Sequence, residues 1–276
     1  MKNKDFAAHR QQYIIDNQTL SFIDIGQGPA LLFGHSYLWD AQMWAPQIAF
    51  LSQNYRCIVP DLWGHGLSAP MPTSNRSLRD ISAQMLSLMD SLEIKEFSVI
   101  GLSVGAMWGA ELALAAPTRV KRLVMMNSFI GYEPEITRDK YYAMLDMIKQ
   151  EQNVSASLRA TIVPLFFADQ PNVELVEFFN TRLASVDNEQ IDTIYRLGKM
   201  IFGRRDTTEE ADKLTLPCLI MAGLQDKARS VLESYLMHDI IDGSKFVHIP
   251  DAGHISTLEQ PEFVNEQLSL FLKATD

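Results

Sequence analysis

Gly101-Leu102-Ser103-Val104-Gly105 is the stretch that decides the fold of this chain. It follows the short apolar run Phe97-Ser98-Val99-Ile100 and opens into residues 106–116, whose composition suits a helix. The local order is strand, sharp turn, helix, with a serine at the apex. A serine held there needs small neighbours two residues to either side, because the backbone is strained and packs closely on adjacent elements. The turn lifts the hydroxyl clear of the sheet and aims the amide of the next residue, Val104, outward at the start of the helix. The five-residue string alone is weak evidence, since a serine capping a helix between two packing glycines has the same spelling. The strand-to-helix context gives it weight.

A serine nucleophile needs a base, and the base needs an acid that holds its tautomer and stabilises its charge. Asp226 ends the segment Pro217-Cys218-Leu219-Ile220-Met221-Ala222-Gly223-Leu224-Gln225-Asp226, an apolar strand running into a loop. His254 closes the loop Asp251-Ala252-Gly253-His254, which follows the predicted strand Phe246-Val247-His248-Ile249-Pro250. Ser103, Asp226 and His254 each lie just past the C-terminal end of a predicted strand, the edge of an open parallel sheet where sites form.

Five stretches together resemble the α/β-hydrolase fold superfamily: Gly34-His35-Ser36-Tyr37, Asp61-Leu62-Trp63-Gly64-His65-Gly66-Leu67-Ser68, the Ser103 turn, Gly223-Leu224-Gln225-Asp226 and Asp251-Ala252-Gly253-His254. The similarity covers nearly the whole chain. It is to the smaller capped members, which include bacterial esterases, enol-lactonases and cofactor-free haloperoxidases. The resemblance implies an α/β fold with a mostly parallel eight-stranded sheet, helices on both faces and a helical cap insertion. The family's chain order of serine, acid and histidine implies Ser103 as nucleophile, Asp226 as acid and His254 as base. It also implies an oxyanion hole made by the backbone N–H groups of Val104 and Tyr37. Two positions depart from the family pattern. His35-Ser36 stands where His-Gly is usual, and Ala106 where many relatives carry a second glycine. Some relatives place the acid after the preceding strand, but Asn127 and Ser128 occupy that region, which favours Asp226. Asp251 is read as a turn residue, being too near His254 along a tight turn to face it. His35 and His65 resemble positions that serve loop architecture.

With 276 residues and 47% hydrophobic content the chain can bury a large core. Its formal net charge of −10 argues against nucleic acid as a partner, because phosphate binding needs clustered Lys and Arg. The N-terminal segment lacks the apolar core of a signal peptide, and no apolar run approaches membrane-spanning length, so a cytoplasmic protein without membrane attachment is expected. Cys57 and Cys218 fall in predicted interior strands and read as buried thiols. No metal or cofactor motif is present, and the spacing of His248 and His254 matches no metal-binding pattern.

Residues 12–16 and 19–25 read as short strands about a turn, and 30–33 and 56–59 as buried strands. A helix is expected over 43–51. A second, over 78–92, places Leu78, Ile81, Met85, Leu88, Met89 and Leu92 on one face. Residues 123–126 form another strand, and the alternation resumes after Pro217 and ends in a helix over 262–272. Alternation of this kind means a mostly parallel sheet covered on both faces. The interval between breaks it: 141–149, 155–167, 173–184 and 188–202 all look helical, with no strand among them. A helical stretch of that length is a subdomain rather than a loop. The expected division is a core of 1–130 and 214–276 with a cap of 131–213. The cap is rich in Phe, Tyr and Met. Phe166 and Phe167, with Tyr37, Trp39 and Trp108, are the candidate substrate-binding residues; the two tryptophans either line the site or pack the turn.

The expected activity is cofactor-independent hydrolysis of a carboxylic ester or lactone through an acyl-enzyme, acyl-homoserine lactones and enol-lactones being among the candidates. The expected partner is that small molecule, and the oligomeric state is left open. Perhydrolysis would use the same triad. Carbon–carbon bond hydrolysis would need polar cap residues, for which Arg159, Arg182, Arg204 and Arg205 are available. A ligand-binding protein on this fold, with little turnover, is the non-enzymatic alternative.

Overall fold

The chain begins with a hairpin, β1 (Arg10–Ile15) and β2 (Gln18–Ile25). Asp16 and Asn17 turn it with φ of 49° and 61°, the paired left-handed conformations that match the twist of a two-residue hairpin. Then come β3 (Ala30–Gly34), α1 (Ala45–Leu51), β4 (Arg56–Pro60), α2 (Leu78–Ser91), β5 (Phe97–Leu102), α3 (Val104–Ala115) and β6 (Val120–Met126). Four helices follow without a strand: α4 (Glu135–Glu151), α5 (Ala156–Ile162), α6 (Val173–Ala184) and α7 (Asn188–Phe202). The chain returns through β7 (Cys218–Gly223), α8 (Val231–Ile240), β8 (Lys245–Ile249), α9 (Ser256–Glu259) and α10 (Pro261–Lys273). This computed structural model describes residues 6–274; residues 1–5, on which the reading of the N-terminus rested, lie outside them.

One eight-stranded sheet runs in the order β1-β2-β4-β3-β5-β6-β7-β8. The β1–β2 and β2–β4 pairs are antiparallel and all the others parallel. Every residue of β3, β5 and β7 is buried, as expected of apolar strands covered on both faces. α1 packs with α9 and α10, while α2 packs on α3, which lies against β3, β5 and β6. Ser77 and Asp80 form a reciprocal cap at the start of α2 and set its apolar stripe toward α3. α3 is buried along nearly its whole length, so its sequence is apolar on every side.

β6 and β7 are neighbours in the sheet, paired from Leu123↔Cys218 to Met126↔Met221, although α4 to α7 separate them in the chain. α6 and α7 follow the apolar periodicity and start at side-chain caps, Asn172 and Asp187. α4 starts earlier than expected, at Glu135, because its first turn is polar and Ile136 is exposed, which hides the helical period. The single helix expected over 155–167 is two pieces: α5 ends at Ile162 and a 3-10 turn covers Val163–Phe166. Pro164, lacking an N–H, breaks it. Cys57 and Cys218 are free and buried, and burial pushes both thiols up to about 12. No helix among the described residues is long and apolar enough to cross a membrane.

Candidate active site

Ser103 sits between β5 and α3 at φ 56° and ψ −121°, a conformation that costs a non-glycine residue about 1–3 kcal/mol. Its surroundings hold it there. The Ser103 amide donates to the Met126 carbonyl at 2.9 Å. Its own carbonyl accepts from the amides of Ala106 and Met107 and from Ser128 Oγ at 2.8 Å. The flanking glycines answer to close approach: a Cβ on Gly105 would lie 2.0 Å from the Gly34 carbonyl oxygen, and one on Gly101 2.3 Å from the Ala106 nitrogen. The start of α3 is thereby pressed against the end of β3.

Asp226 and His254 come from the loops after β7 and β8 and meet at 2.9 Å, Oδ2 to Nδ1, with side chains only 1% and 3% exposed. The carboxylate is satisfied on both oxygens. Oδ1 accepts from the amides of Ala228 (2.8 Å) and Arg229 (2.9 Å), and Oδ2 also accepts from Asn127 Nδ2 at 2.9 Å. An acceptor-only partner assigns the proton to Nδ1 and leaves the Nε2 lone pair of His254 for other chemistry. Asn127, at the end of β6 with φ 47°, braces both loops. Its Nδ2 also reaches the Gly253 carbonyl (3.1 Å), and its Oδ1 accepts from Ser256 Oγ (2.7 Å). Sequence reasoning used Asn127 only to exclude an acid there and missed this brace; the available signal was an amide side chain at the end of a central strand. Asp251 is exposed in a left-handed turn conformation, and among the described residues only its carbonyl is engaged, by Gln260.

The loop after β3 is built on two buried histidines. His35 Nδ1 meets the Ser36 carbonyl at 2.7 Å, and His35 Nε2 accepts from the Leu62 amide at 2.7 Å. His65 Nδ1 meets the Trp63 carbonyl at 2.8 Å, and its Nε2 accepts from the Leu38 amide at 3.1 Å. Each ring is thus a neutral bridge that donates from Nδ1 and accepts at Nε2. Burial pushes His35 down to about 4 and His65 down to about 3, the latter with His35 also opposing its charge. Leu38, at φ 68°, is held on its other side by Arg182 Nε on its carbonyl at 3.0 Å. Among the described residues, neither the Tyr37 nor the Val104 amide has an acceptor. The Tyr37 hydroxyl donates to the Ile194 carbonyl of α7 at 2.6 Å.

Ser103, His254, Tyr37, Ser36 and Phe166 border one cavity of about 70 Å³. Its remaining wall is mostly apolar and comes largely from α4 and α7, including Met144, Leu145, Ile148, Ile201 and Phe202. Three expected lining residues are not part of it. Trp39 is stacked on Phe179 at 4.6 Å, and Phe167 packs edge-on against the same ring. Trp108 is fully buried against Gly34, where a Cβ would lie 2.5 Å from its Cζ2. A larger cleft of about 700 Å³ lies beyond Leu38 but contains neither Ser103 nor His254. Its arginines are spoken for, Arg182 by Asp40 at 2.6 Å and Arg10 by Asp61.

None of Arg159, Arg182, Arg204 and Arg205 borders the small cavity, whereas Arg229 does. Arg229 is fixed in a buried cluster. Its Nη2 lies 2.5 Å and Arg204 Nη1 2.9 Å from Glu133 Oε2, with Glu233 at 3.2 Å from Arg229 Nη1. Burial alone would raise the Glu133 carboxyl, but the two guanidinium groups hold it below the usual carboxylate range. Glu133 precedes α4 and Arg204 follows α7, so the cluster joins both ends of the helical insertion to the loop that carries Asp226. Among the described residues no group of three or more His, Cys, Asp or Glu side chains is arranged to hold a metal ion.

A family model described as the alpha/beta hydrolase fold matches residues 29–261. The chain is similar to 3-oxoadipate enol-lactonase 2 of Acinetobacter baylyi, 27% identical over 260 residues that cover 92% of this chain and 93% of the relative. It is 28% identical to 3-oxoadipate enol-lactonase 1 of the same organism, over 89% of each chain. Among solved structures, a thermophilic esterase from Thermogutta terrifontis superimposes with a TM-score of 0.86 at 24% identity, over 96% of this chain and 98% of that one.

Proposed function

The chain belongs to the alpha/beta hydrolase fold family, and from that premise we propose that it is a serine hydrolase of carboxylic esters or lactones working through Ser103, Asp226 and His254. The observation that carries this reading is the Asp226–His254 pair at 2.9 Å, bordering the same cavity as a serine held at positive φ. His254 Nε2 takes the proton of Ser103 Oγ as the oxygen attacks the acyl carbon. The carbonyl oxygen becomes an oxyanion and accepts hydrogen bonds from the Val104 and Tyr37 amides, two donors with no acceptor among the described residues. Collapse of the tetrahedral adduct expels the alkoxide, which His254 protonates, and leaves an acyl-serine. Water, deprotonated by His254, attacks the acyl carbon, and the second collapse returns the proton to Ser103 and frees the acid.

Residues 131–213 act in this reading as a cap that closes the cavity from above. A volume of about 70 Å³ with an apolar wall suits a short acyl group. The likeness to proteins named enol-lactonases supports lactones among the candidates, and a tethered leaving alcohol needs no second pocket. The test is labelling with a fluorophosphonate beside a turnover panel of p-nitrophenyl esters and aliphatic lactones. Labelling should fall on Ser103 and vanish in Ser103→Ala, with turnover reduced to background. Labelling at another serine, or an active Ser103→Ala protein, would sink the assignment.

A further inference from the structure

Ser36 occupies the position where the chain departs from the His-Gly pattern, and its hydroxyl is the one polar atom of the residue with nothing to do. Its amide donates to Met43 Sδ at 3.2 Å. Its carbonyl accepts from His35 Nδ1 at 2.7 Å and from the Trp39 amide at 3.2 Å. The residue is fully buried, yet Oγ has no hydrogen-bond partner among the described residues. Buried hydroxyls are nearly always satisfied, because a desolvated donor without an acceptor costs stability. A glycine in this place would avoid that cost. Ser36 also borders the cavity that Ser103, Tyr37 and His254 share. Its partner is therefore expected to arrive in that cavity.

We propose that the Ser36 hydroxyl is a third hydrogen-bond donor to the oxyanion, beside the amides of Tyr37 and Val104. The proposal rests on the acyl-enzyme reading above. Ser36 is anchored through both of its backbone polar groups, so the Cα that carries the hydroxyl is fixed beside the cavity before charge develops. A donor of this kind acts on the transition state more than on the bound substrate, so its removal lowers kcat and leaves KM nearly unchanged.

The test compares wild type, Ser36→Ala and Ser36→Gly in three measurements: kcat and KM on p-nitrophenyl acetate, the rate constant for fluorophosphonate labelling of Ser103, and Tm. The expected result is a fall in kcat of about 10²-fold, with KM within about threefold. Labelling should slow in parallel, because the phosphonyl oxygen occupies the same hole. Tm should stay level or rise, since an unsatisfied buried hydroxyl has been removed. A hydroxyl that merely fills space predicts the reverse: unchanged kcat and labelling in Ser36→Ala, or losses in both variants that follow a fall in Tm. Either outcome overturns the proposal while leaving Ser103 as nucleophile. Absence of Ser103 labelling in wild type would overturn the acyl-enzyme reading, and this proposal with it.

Discussion

Lowering the pH should destabilise this protein well before its carboxylates titrate, through His35 and His65. Both rings accept a backbone amide at Nε2, so a proton arriving at these buried rings meets a donor instead of an acceptor. The direction follows from linkage. Above pH 6.5 neither the folded nor the unfolded state carries these protons, and stability is unaffected. Below 6.5 the unfolded histidines protonate, while the folded ones resist to about 4 and about 3. Stability is therefore lost as pH falls through that window. A pH of 5 lies about 1.5 below the ordinary histidine value, which amounts to about 2 kcal/mol per histidine and about 4 kcal/mol for the pair. Asp61 works the other way, because burial and the neighbouring Asp40 push its carboxyl up. A variant comparison isolates the rings. Urea unfolding of wild type and His65→Gln at pH 7 and pH 5 should show the variant losing about 2 kcal/mol less across the interval. Equal losses in the two proteins would refute the argument.

Asp226→Asn should lower kcat by about 10⁴-fold through loss of the His254 tautomer, while Asp251→Asn, whose side chain is exposed, stays near wild type; comparable losses in a steady-state assay would move the acid into the His254 turn. Glu133→Gln removes the anion that two buried guanidinium groups share and should cost about 3–5 kcal/mol in urea unfolding. Adding Arg204→Met should recover part of that loss, and a further loss instead would show that Arg204 contributes through contacts other than Glu133.

The order of elements was legible because each is marked by a local signal: apolar runs for strands covered on both faces, and 3.6-residue spacing with side-chain caps for α2, α6 and α7. That Ser103, Asp226 and His254 lie near one edge of the sheet was legible because strand ends carry them. What failed were features that depend on the far side of the fold. Trp39 and Trp108 could by type either line the site or pack the turn, and the contacts that place them, with Phe179 and Gly34, are distant in sequence. The brace from Asn127 and the pairing of Glu133 with Arg204 and Arg229 join residues separated by 71 to 129 positions, which no periodicity records. The hydroxyl of Ser36 was visible only as a departure from pattern until its missing partner gave that departure a meaning.

The clamp of Glu133, Arg204 and Arg229 bears on how such a protein can be rebuilt. β6 and β7 already lie side by side, so the sheet closes without reference to what is threaded between them, and lengthening a closed loop costs only about 0.6 kcal/mol per doubling. The salt-bridged stems present two fixed attachment points on the chemical half of the molecule. The segment from α4 to α7 is thereby placed for exchange as a cassette: a donor segment that retains the acid at one stem and the arginine at the other should bring a new pocket while leaving the Ser103 turn in place. Grafts cut inside the stems would inherit the chemistry, and grafts cut outside them would have to rebuild it.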